Sequence, residues 1–381
     1  MAYRVRTGVI GVAVMPRVNG DAQSLEELQY AATRRALDDA GITIEEIDGI
    51  VLGANDQYDG RAISIMMASG PVGGVDRDIL STPSAGEHAF VMGALRVASG
   101  LYRTQLVLAW SPTEASSLPE VQRLGADPYF NRRLPLDEMA AHAMQANVLL
   151  AEMPGVDELA REIVRKNREN GAAAYPGHAG SGGGFARWPL TEEMTGAPVT
   201  GIVALVLASE DFVQEHGKQA AWIAGMGWAT EPSFLGDRDL RRVPALDAAS
   251  EQAYGEAGIA DPMADFDVAE VADATPYQEL LAYEGLKLAS RQAWREHVTN
   301  GTFARDGKLP VNLSGGAIAN NPVYCTGLMR IAEIARQVLG RAGAHQKQGV
   351  STGLAHAASG DAMQYNTVVV LRNGGNEGVR Q

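Results

Sequence analysis

The side chains that most often bind metals, form disulfides or hold phosphates are sparse along this 381-residue sequence. Cys325 is the only cysteine, so neither an intrachain disulfide nor a cysteine-based metal cluster can form. The seven histidines show no HExxH or HxH spacing, which predicts no metal site. The run GHAGSGGG lacks both the Lys-Ser/Thr ending and the preceding strand of a phosphate-binding loop.

Overall charge and composition argue against several classes of partner. The formal net charge of −14 would repel a nucleic-acid backbone, and the arginines form scattered pairs without a basic stripe. No apolar stretch reaches the roughly 18 residues that a membrane helix needs, and the opening residues lead directly into a strand-like run. With one cysteine, the composition suits a reducing compartment, so we expect a cytoplasmic protein without a signal peptide.

Alternating strand and helix patterns predict an α/β protein. The run TGVIGVAV reads as a strand, and the helix after it has Ser24 as N-cap, Glu27 in a capping box and Gly41 as C-cap. The tripeptide Ala-Gly-Ile recurs at 40–42 and 257–259, each time before an acidic connection and a strand. We therefore predict two similar βαβ halves with parallel sheets and helices on their faces.

The two halves are predicted to span residues 1–220 and 221–381. A segment of different character lies within the first half, from about residue 111 to residue 200. It is rich in alanine and methionine and contains the glycine run, so we predict an inserted loop domain there.

Two motifs near the end of the chain carry a resemblance to a known family. VNLSGGAIANNPVYCTG (311–327) resembles the N-x-S-G-G-x-x-x-x-G-H-P-x-G-A-T-G motif of the thiolase superfamily. GLAHAASGDA (353–362) resembles the terminal G-L-x-H-N-x-G-G loop of the sterol-carrier-protein-type thiolases. The resemblance runs over nearly the whole chain and implies the duplicated, five-layer α-β-α-β-α thiolase fold.

The sequence departs from the family at the positions that do thiolase chemistry. Pro83 stands where the nucleophilic cysteine opens a helix, so acyl transfer through a cysteine thioester is lost. The family's H-D-C-F segment corresponds to residues 272–275, which read Ala-Asp-Ala-Thr, and Asn321 replaces the histidine of G-H-P. Of the family's catalytic set only His356 remains recognisable.

Two tyrosines, Tyr277 and Tyr324, lie inside the two motifs that have lost their histidines. This pattern resembles bacterial steroid side-chain aldolases of thiolase fold. The resemblance implies retro-aldol cleavage of a bulky 3-hydroxyacyl-CoA, with the CoA thioester as substrate and no covalently bound cofactor. It also implies a homodimer that works with a partner subunit carrying an OB-fold domain of the zinc-ribbon type.

Such a cleavage needs a base for the hydroxyl proton, donors for the thioester enolate and an acid for the enolate carbon. We assign Tyr324 to proton transfer and Tyr277 as its partner, in an order that the sequence leaves open. Asn321 would donate to the thioester oxygen, and His356 would donate or orient water. Asp273 would position a tyrosine or share the role of base.

Alternative interpretations remain at this stage. Asn321 beside Pro322 could be ordinary turn chemistry, and a buried tyrosine is often only a packed ring. The chain could be a non-catalytic thiolase-like subunit that binds acyl-CoA or scaffolds an active partner. It could also be a residual acyltransferase with Ser84, next to Pro83, as nucleophile.

Overall fold

The computed structural model describes residues 5–15, 23–83, 85–113, 116–176 and 187–374. The strands in these ranges are β1 (Thr7–Met15), β2 (Gly49–Ala54), β3 (Asp78–Pro83), β4 (Thr104–Ser111), β5 (Gly201–Ser209), β6 (Ala221–Thr230), β7 (Val268–Glu270), β8 (Thr352–Ser359) and β9 (Tyr365–Arg372). The helices are α1 (Leu25–Ala40), α2 (Ser64–Ser69), α3 (Gly86–Ala98), α4 (Leu118–Gly125), α5 (Glu138–Glu152), α6 (Val156–Ala174), α7 (Glu210–Glu215), α8 (Pro244–Ala257), α9 (Pro262–Asp265), α10 (Pro276–Gly285), α11 (Trp294–Thr299), α12 (Gly316–Ala319) and α13 (Thr326–Val338).

Local sequence signals fix the ends of helix α1. The Ser24 hydroxyl accepts from the Glu27 N–H, and the Glu27 carboxylate accepts from the Ser24 N–H, which confirms the predicted capping box. Gly41 ends the helix in the left-handed conformation with φ 65°. Among the described helices, none is both long enough and apolar enough to cross a membrane.

The strands form a sheet in the order β3-β2-β4-β5-β1-β6-β9-β8-β7. Its two halves meet where β1 and β6 pair over only two positions, Gly8 with Trp222 and Val9 with Ala221. Strand β2 runs parallel to β3 and β4, and β7 runs parallel to β8. The other pairs are antiparallel.

The prediction of wholly parallel sheets is therefore wrong. Strands β8 and β9 are joined by a connection of only five residues, 360–364, which has no room for a crossover helix and so produces an antiparallel hairpin. Strand β5 returns after the segment that contains α4, α5 and α6, and it enters the sheet against the direction of β4.

Helices and sheet halves alternate in five layers, as predicted. Helix α1 covers the outer face of the first half, where Leu28 and Ile50 belong to the same buried hydrophobic cluster. Helices α3 and α13 are sandwiched between the two halves, and Phe90 and Ile331 belong to the cluster that fills this space. Helices α5, α6, α8 and α10 cover the outer face of the second half. The central layer matters for function because both of its helices begin at the same cavity.

Candidate functional site

A cleft with about 1080 Å³ of empty space, part of it open to solvent, lies where the central helices begin. Its wall combines the first residues of α3 and α5, the loops at 195–198 and 272–274, and the end of β8. Convergent polar groups in a mostly apolar cleft are typical of a small-molecule site. The ionisable and amide side chains in the wall are Glu87, Gln122, Asp137, Glu138, His142, Asp273, Gln278, Asn321, Tyr324 and Arg330.

Tyr324 lies in this wall, as the sequence predicts. It occupies a 3-10 turn, Val323–Cys325, directly before α13, and its backbone N–H donates to Ser111 Oγ at 2.9 Å. The ring contacts Tyr58 edge-on with centroids 5.4 Å apart. The hydroxyl has no hydrogen-bond partner among the described residues. Burial raises the pKa of Tyr324 well above its usual range, and the negative charge of Glu138 adds to this effect, so the phenol carries its proton.

Glu138, the first residue of α5, is the second proton-carrying group of the cavity. Its neighbour Asp137 caps the helix by accepting from the Ala140 N–H at 2.8 Å. Burial, together with the charges of Asp361, Asp137 and Glu87, raises the pKa of Glu138 to about 8. At neutral pH this carboxyl is therefore largely protonated.

Asp273 also lines the cavity, but its carboxylate oxygens accept hydrogen bonds that hold the surrounding backbone in place. Its oxygens accept from the backbone N–H groups of Ala317 at 2.6 Å and Ile318 at 3.3 Å, and from Asn167 Nδ2 at 2.8 Å. Asp273 thus caps the short helix α12, which precedes the Tyr324 turn. Burial raises the pKa of Asp273, while the nearby Arg330 opposes the shift and Glu279 adds to it.

Asn321 lines the cavity while closing a turn. Its Nδ2 donates to Gly196 O at 3.0 Å, and its Oδ1 accepts from the Val323 N–H at 3.1 Å. These contacts agree with the turn interpretation. The second Nδ2 proton of Asn321 remains available to donate a hydrogen bond to a ligand.

Tyr277 does not line the cavity. It is 1% exposed and packs in the core between α10 and its neighbours, and the residue that faces the cavity from this turn is Gln278. Burial raises the pKa of Tyr277 to about 12, with Asp157 of α6 adding to the shift and Arg161 opposing it. The structure separates the two tyrosines that the sequence analysis paired.

His356 lies in β8 just before the cavity-lining residues 357–360 and is itself fully buried. Its Nε2 is 3.1 Å from Asn366 Oδ1, and its Nδ1 has no partner among the described residues. Burial lowers the pKa of His356 to about 4, so the ring is neutral. It can support the cavity wall from behind, but it does not line the cavity.

The cavity wall contains no thiol. Cys325 is fully buried, its Sγ faces Gly201 O at 3.4 Å, and burial raises the pKa of its thiol far above the range of a reactive thiolate. Pro83 ends β3 ahead of α3. Ser84, the alternative nucleophile, and the glycine run from 177 lie outside the described residues.

The sequence patterns did not indicate four side chains of the cavity wall, which are Glu87, Glu138, His142 and Arg330. Acidic residues in a first helical turn are commonplace because they favour the helix dipole, so Glu87 and Glu138 gave no distinctive signal. Burial lowers the pKa of His142 to about 4, and its Nδ1 lies 3.0 Å from Gln278 Nε2. In the described residues, no group of three or more metal-binding side chains could hold a metal ion.

Comparisons with known proteins agree on the family. The model of the family "Thiolase C-terminal domain-like" matches residues 228–373. Sterol carrier protein 2 of Oryctolagus cuniculus is 26% identical over 391 residues, which cover 92% of this chain and 69% of the relative. Proteins of the same name from Rattus norvegicus and Homo sapiens are each 34% identical over 163 residues, and these matches span only 29% of each relative.

Two solved structures share the fold over almost the full length. The "Ltp2-ChsH2(DUF35) aldolase" superposes with a TM-score of 0.79 at 18% identity, covering 98% of this chain and 99% of that chain. Human mitochondrial 3-ketoacyl-CoA thiolase superposes with a TM-score of 0.70 at 16% identity, covering 98% and 100%. The chain therefore has the thiolase fold, and its residues 228–373 match the thiolase C-terminal family.

Proposed function

We propose that this protein is a carbon–carbon lyase of thiolase fold that cleaves a 3-hydroxyacyl-CoA by a retro-aldol reaction. One observation carries the proposal. The described wall of the cavity holds two proton-carrying groups, Tyr324 and Glu138, and no thiol. Acyl transfer in this superfamily requires a nucleophile, whereas a retro-aldol cleavage requires only proton transfer and stabilisation of an enolate.

The reaction balances without a co-reactant. A base takes the proton of the 3-hydroxyl, the O–H electron pair forms the new carbonyl, and the bond between C2 and C3 breaks. Its electron pair becomes the thioester enolate, which lies near the positive end of the α3 dipole. The Tyr324 hydroxyl then protonates C2, which is far more basic than a phenolate. Glu138 returns a proton to Tyr324 and regains one from the protonated base, so that each group recovers its starting state.

The remaining predicted residues support this arrangement in different ways. Asp273 and Asn321 hold the segment before α13 in place through their backbone contacts, and the free amide proton of Asn321 is available for the thioester oxygen. His356 supports the wall from within β8. Tyr277 has no part in this mechanism because it is buried in the core and does not line the cavity.

We propose a bulky acyl chain of the steroid side-chain type as the substrate. The mostly apolar lining of the cleft suits an acyl chain, and the "Ltp2-ChsH2(DUF35) aldolase" is among the structural neighbours. The bulk of the acyl chain rests on the motif resemblance. An OB-fold partner of the zinc-ribbon type belongs to the same proposal. Exposed apolar side chains would suit such a partner, among them Tyr129 at 83% and Phe130 at 71% exposure, with Phe130 close to Phe234. Their chain neighbours Asp127 and Asn131 line a second pocket that shares Glu138 and Tyr324 with the cleft.

A non-catalytic acyl-CoA-binding or scaffold subunit is the second candidate function. The separation of Tyr277 from Tyr324 favours it, because the aldolase interpretation of the sequence relied on both hydroxyls acting together. The two functions differ in turnover but not in binding of the CoA ester.

The test is the cleavage of a polycyclic 3-hydroxyacyl-CoA by the full chain, purified with any subunit that accompanies it. Mass spectrometry would detect the ketone and the short acyl-CoA. We expect the Tyr324→Phe variant to lose about 100-fold or more in kcat. The exposed control Tyr30→Phe, on α1, and the core variant Tyr277→Phe should retain turnover. Binding of the ester without any cleavage by the wild-type protein would exclude the lyase and support the binding subunit.

A further inference from the structure

Glu87 is a buried carboxylate in the first turn of α3, and the mechanism above assigns it no role. It is 2% exposed and lines the cavity. Its Oε1 has no hydrogen-bond partner, and among the described residues it forms no ion pair. Burying a carboxylate without a partner costs several kcal/mol in general, and the dipole of the 13-residue helix offsets only part of this.

The neighbouring helix leaves space for this carboxylate. A Cβ built on Gly327, in the first turn of α13, would overlap Glu87 Oε2 and lie 2.6 Å from Glu87 Cδ. The absence of a side chain at Gly327 therefore allows the carboxylate to lie between the starts of α3 and α13. This is also the point where the Tyr324 turn leads into α13.

Glu87 lies in the same cavity wall as Glu138 and Tyr324. The charge of Glu87 contributes to the raised pKa of Glu138, and the charge of Glu138 contributes to that of Tyr324. Glu87 thus shares one cavity with Tyr324 and Glu138, both of which hold protons at neutral pH. A carboxylate that can accept a proton beside two groups that can donate one is the arrangement that separates a base from acids in one site.

We infer that Glu87 is the catalytic base, which accepts the proton of the substrate's 3-hydroxyl as the bond between C2 and C3 breaks. This inference rests on the proposed lyase function. The hydroxyl electron pair becomes the ketone carbonyl, and Tyr324 donates its proton to the enolate carbon. The proton on Glu87 then returns to the Tyr324 phenolate by way of Glu138, so that each group regains its starting state.

The Glu87→Gln variant tests this role because it keeps the size of the side chain and removes the proton acceptor. We expect kcat to fall about 100-fold or more, with binding of the CoA ester within about threefold of wild type. The melting temperature should rise, because an unpartnered buried charge is removed. A structural role would instead lower the melting temperature. The exposed first-turn control Glu158→Gln, on α6, should retain wild-type kcat.

The Gly327→Ala variant provides a second test that leaves the carboxylate chemically intact. Its added methyl should displace Glu87 and lower kcat in the wild-type background, and it should cause no further loss in the Glu87→Gln background. Equal losses in both backgrounds would overturn the role of Glu87. Wild-type-like turnover by Glu87→Gln would overturn it while leaving the lyase function intact, whereas an inactive wild-type protein would overturn both.

Discussion

Glu138 shows how a single side chain acquires its chemistry from its surroundings. It faces Asp361, Asp137 and Glu87, and the charged groups that shift its pKa are all acidic. A carboxyl in this position retains its proton because ionisation would add a further negative charge to a buried, acidic site. The same residue on an exposed helix would be ionised at neutral pH.

The pH dependence of turnover should report this carboxyl. Because the pKa of Glu138 is raised to about 8, we expect kcat to decline as the pH rises through about 8, where the proton donor is lost. The Glu138→Gln variant should have a kcat at least about tenfold lower at neutral pH and should lack this alkaline decline. An unchanged decline in Glu138→Gln would assign it to another group.

Stability provides an independent measure of the same group. A carboxyl with a raised pKa in the folded state stabilises the fold fully below its unfolded pKa, and this contribution is lost as the pH rises through about 8. Glu138→Gln should therefore unfold at a higher temperature than wild type at pH 9, with the difference disappearing towards pH 4. Thermal denaturation across this pH range would measure it.

Among the secondary-structure elements, the contact between α6 and α12 sets the position of the segment that leads to Tyr324. Gly171 in α6 faces α12 so closely that a Cβ there would overlap that of Ala319 and lie 3.5 Å from Gly315 Cα. In most helices, alanine in place of glycine would be favourable by about 1 kcal/mol. Here the close approach of the two helices opposes that gain.

The Gly171→Ala variant should therefore destabilise the protein, and it should also lower turnover because α12 precedes the Tyr324 turn. Gly255→Ala, in α8, is a matched control, since a Cβ there meets no atom within 4 Å. It should raise the free energy of unfolding by about 0.5–1 kcal/mol. Equal effects of the two substitutions in denaturant melts would show that α6 can move away from α12.

In the described part of the chain, one edge strand of the sheet is left uncovered. Strand β7, at one end of the sheet, is buried and is bridged by Val311. Strand β3, at the other end, pairs only with β2, and most of its side chains are partly or fully exposed. An open edge of this kind is a site for pairing with another chain, and we propose that a second copy of the protein covers it.

Sedimentation analysis should therefore show a dimer. Ser81→Lys would place two like charges close together across a symmetric β3 pairing, so we expect the dissociation constant to increase at least about tenfold. Lysine at Thr230, an exposed position at the end of β6, should leave the dimer unchanged. A wild-type protein that remains monomeric at micromolar concentration would contradict the proposed homodimer.

The sequence by itself determined the features that depend on near neighbours along the chain. The cap of α1 and the five alternating layers follow from spacing, capping residues and motif resemblance. The loss of the cysteine at Pro83 is likewise visible from the sequence. These features are readable because their physical causes lie within a few residues of one another or in a fixed motif.

Only the tertiary structure decided which side chains meet. Tyr277 and Gln278 are adjacent in α10, yet successive residues of a helix point about 100° apart, so one enters the core and the other the cavity. Glu87, Glu138 and Tyr324 come from three distant segments that converge at the helix starts. Their proton affinities depend on burial and mutual charge, which exist only after the layers have packed.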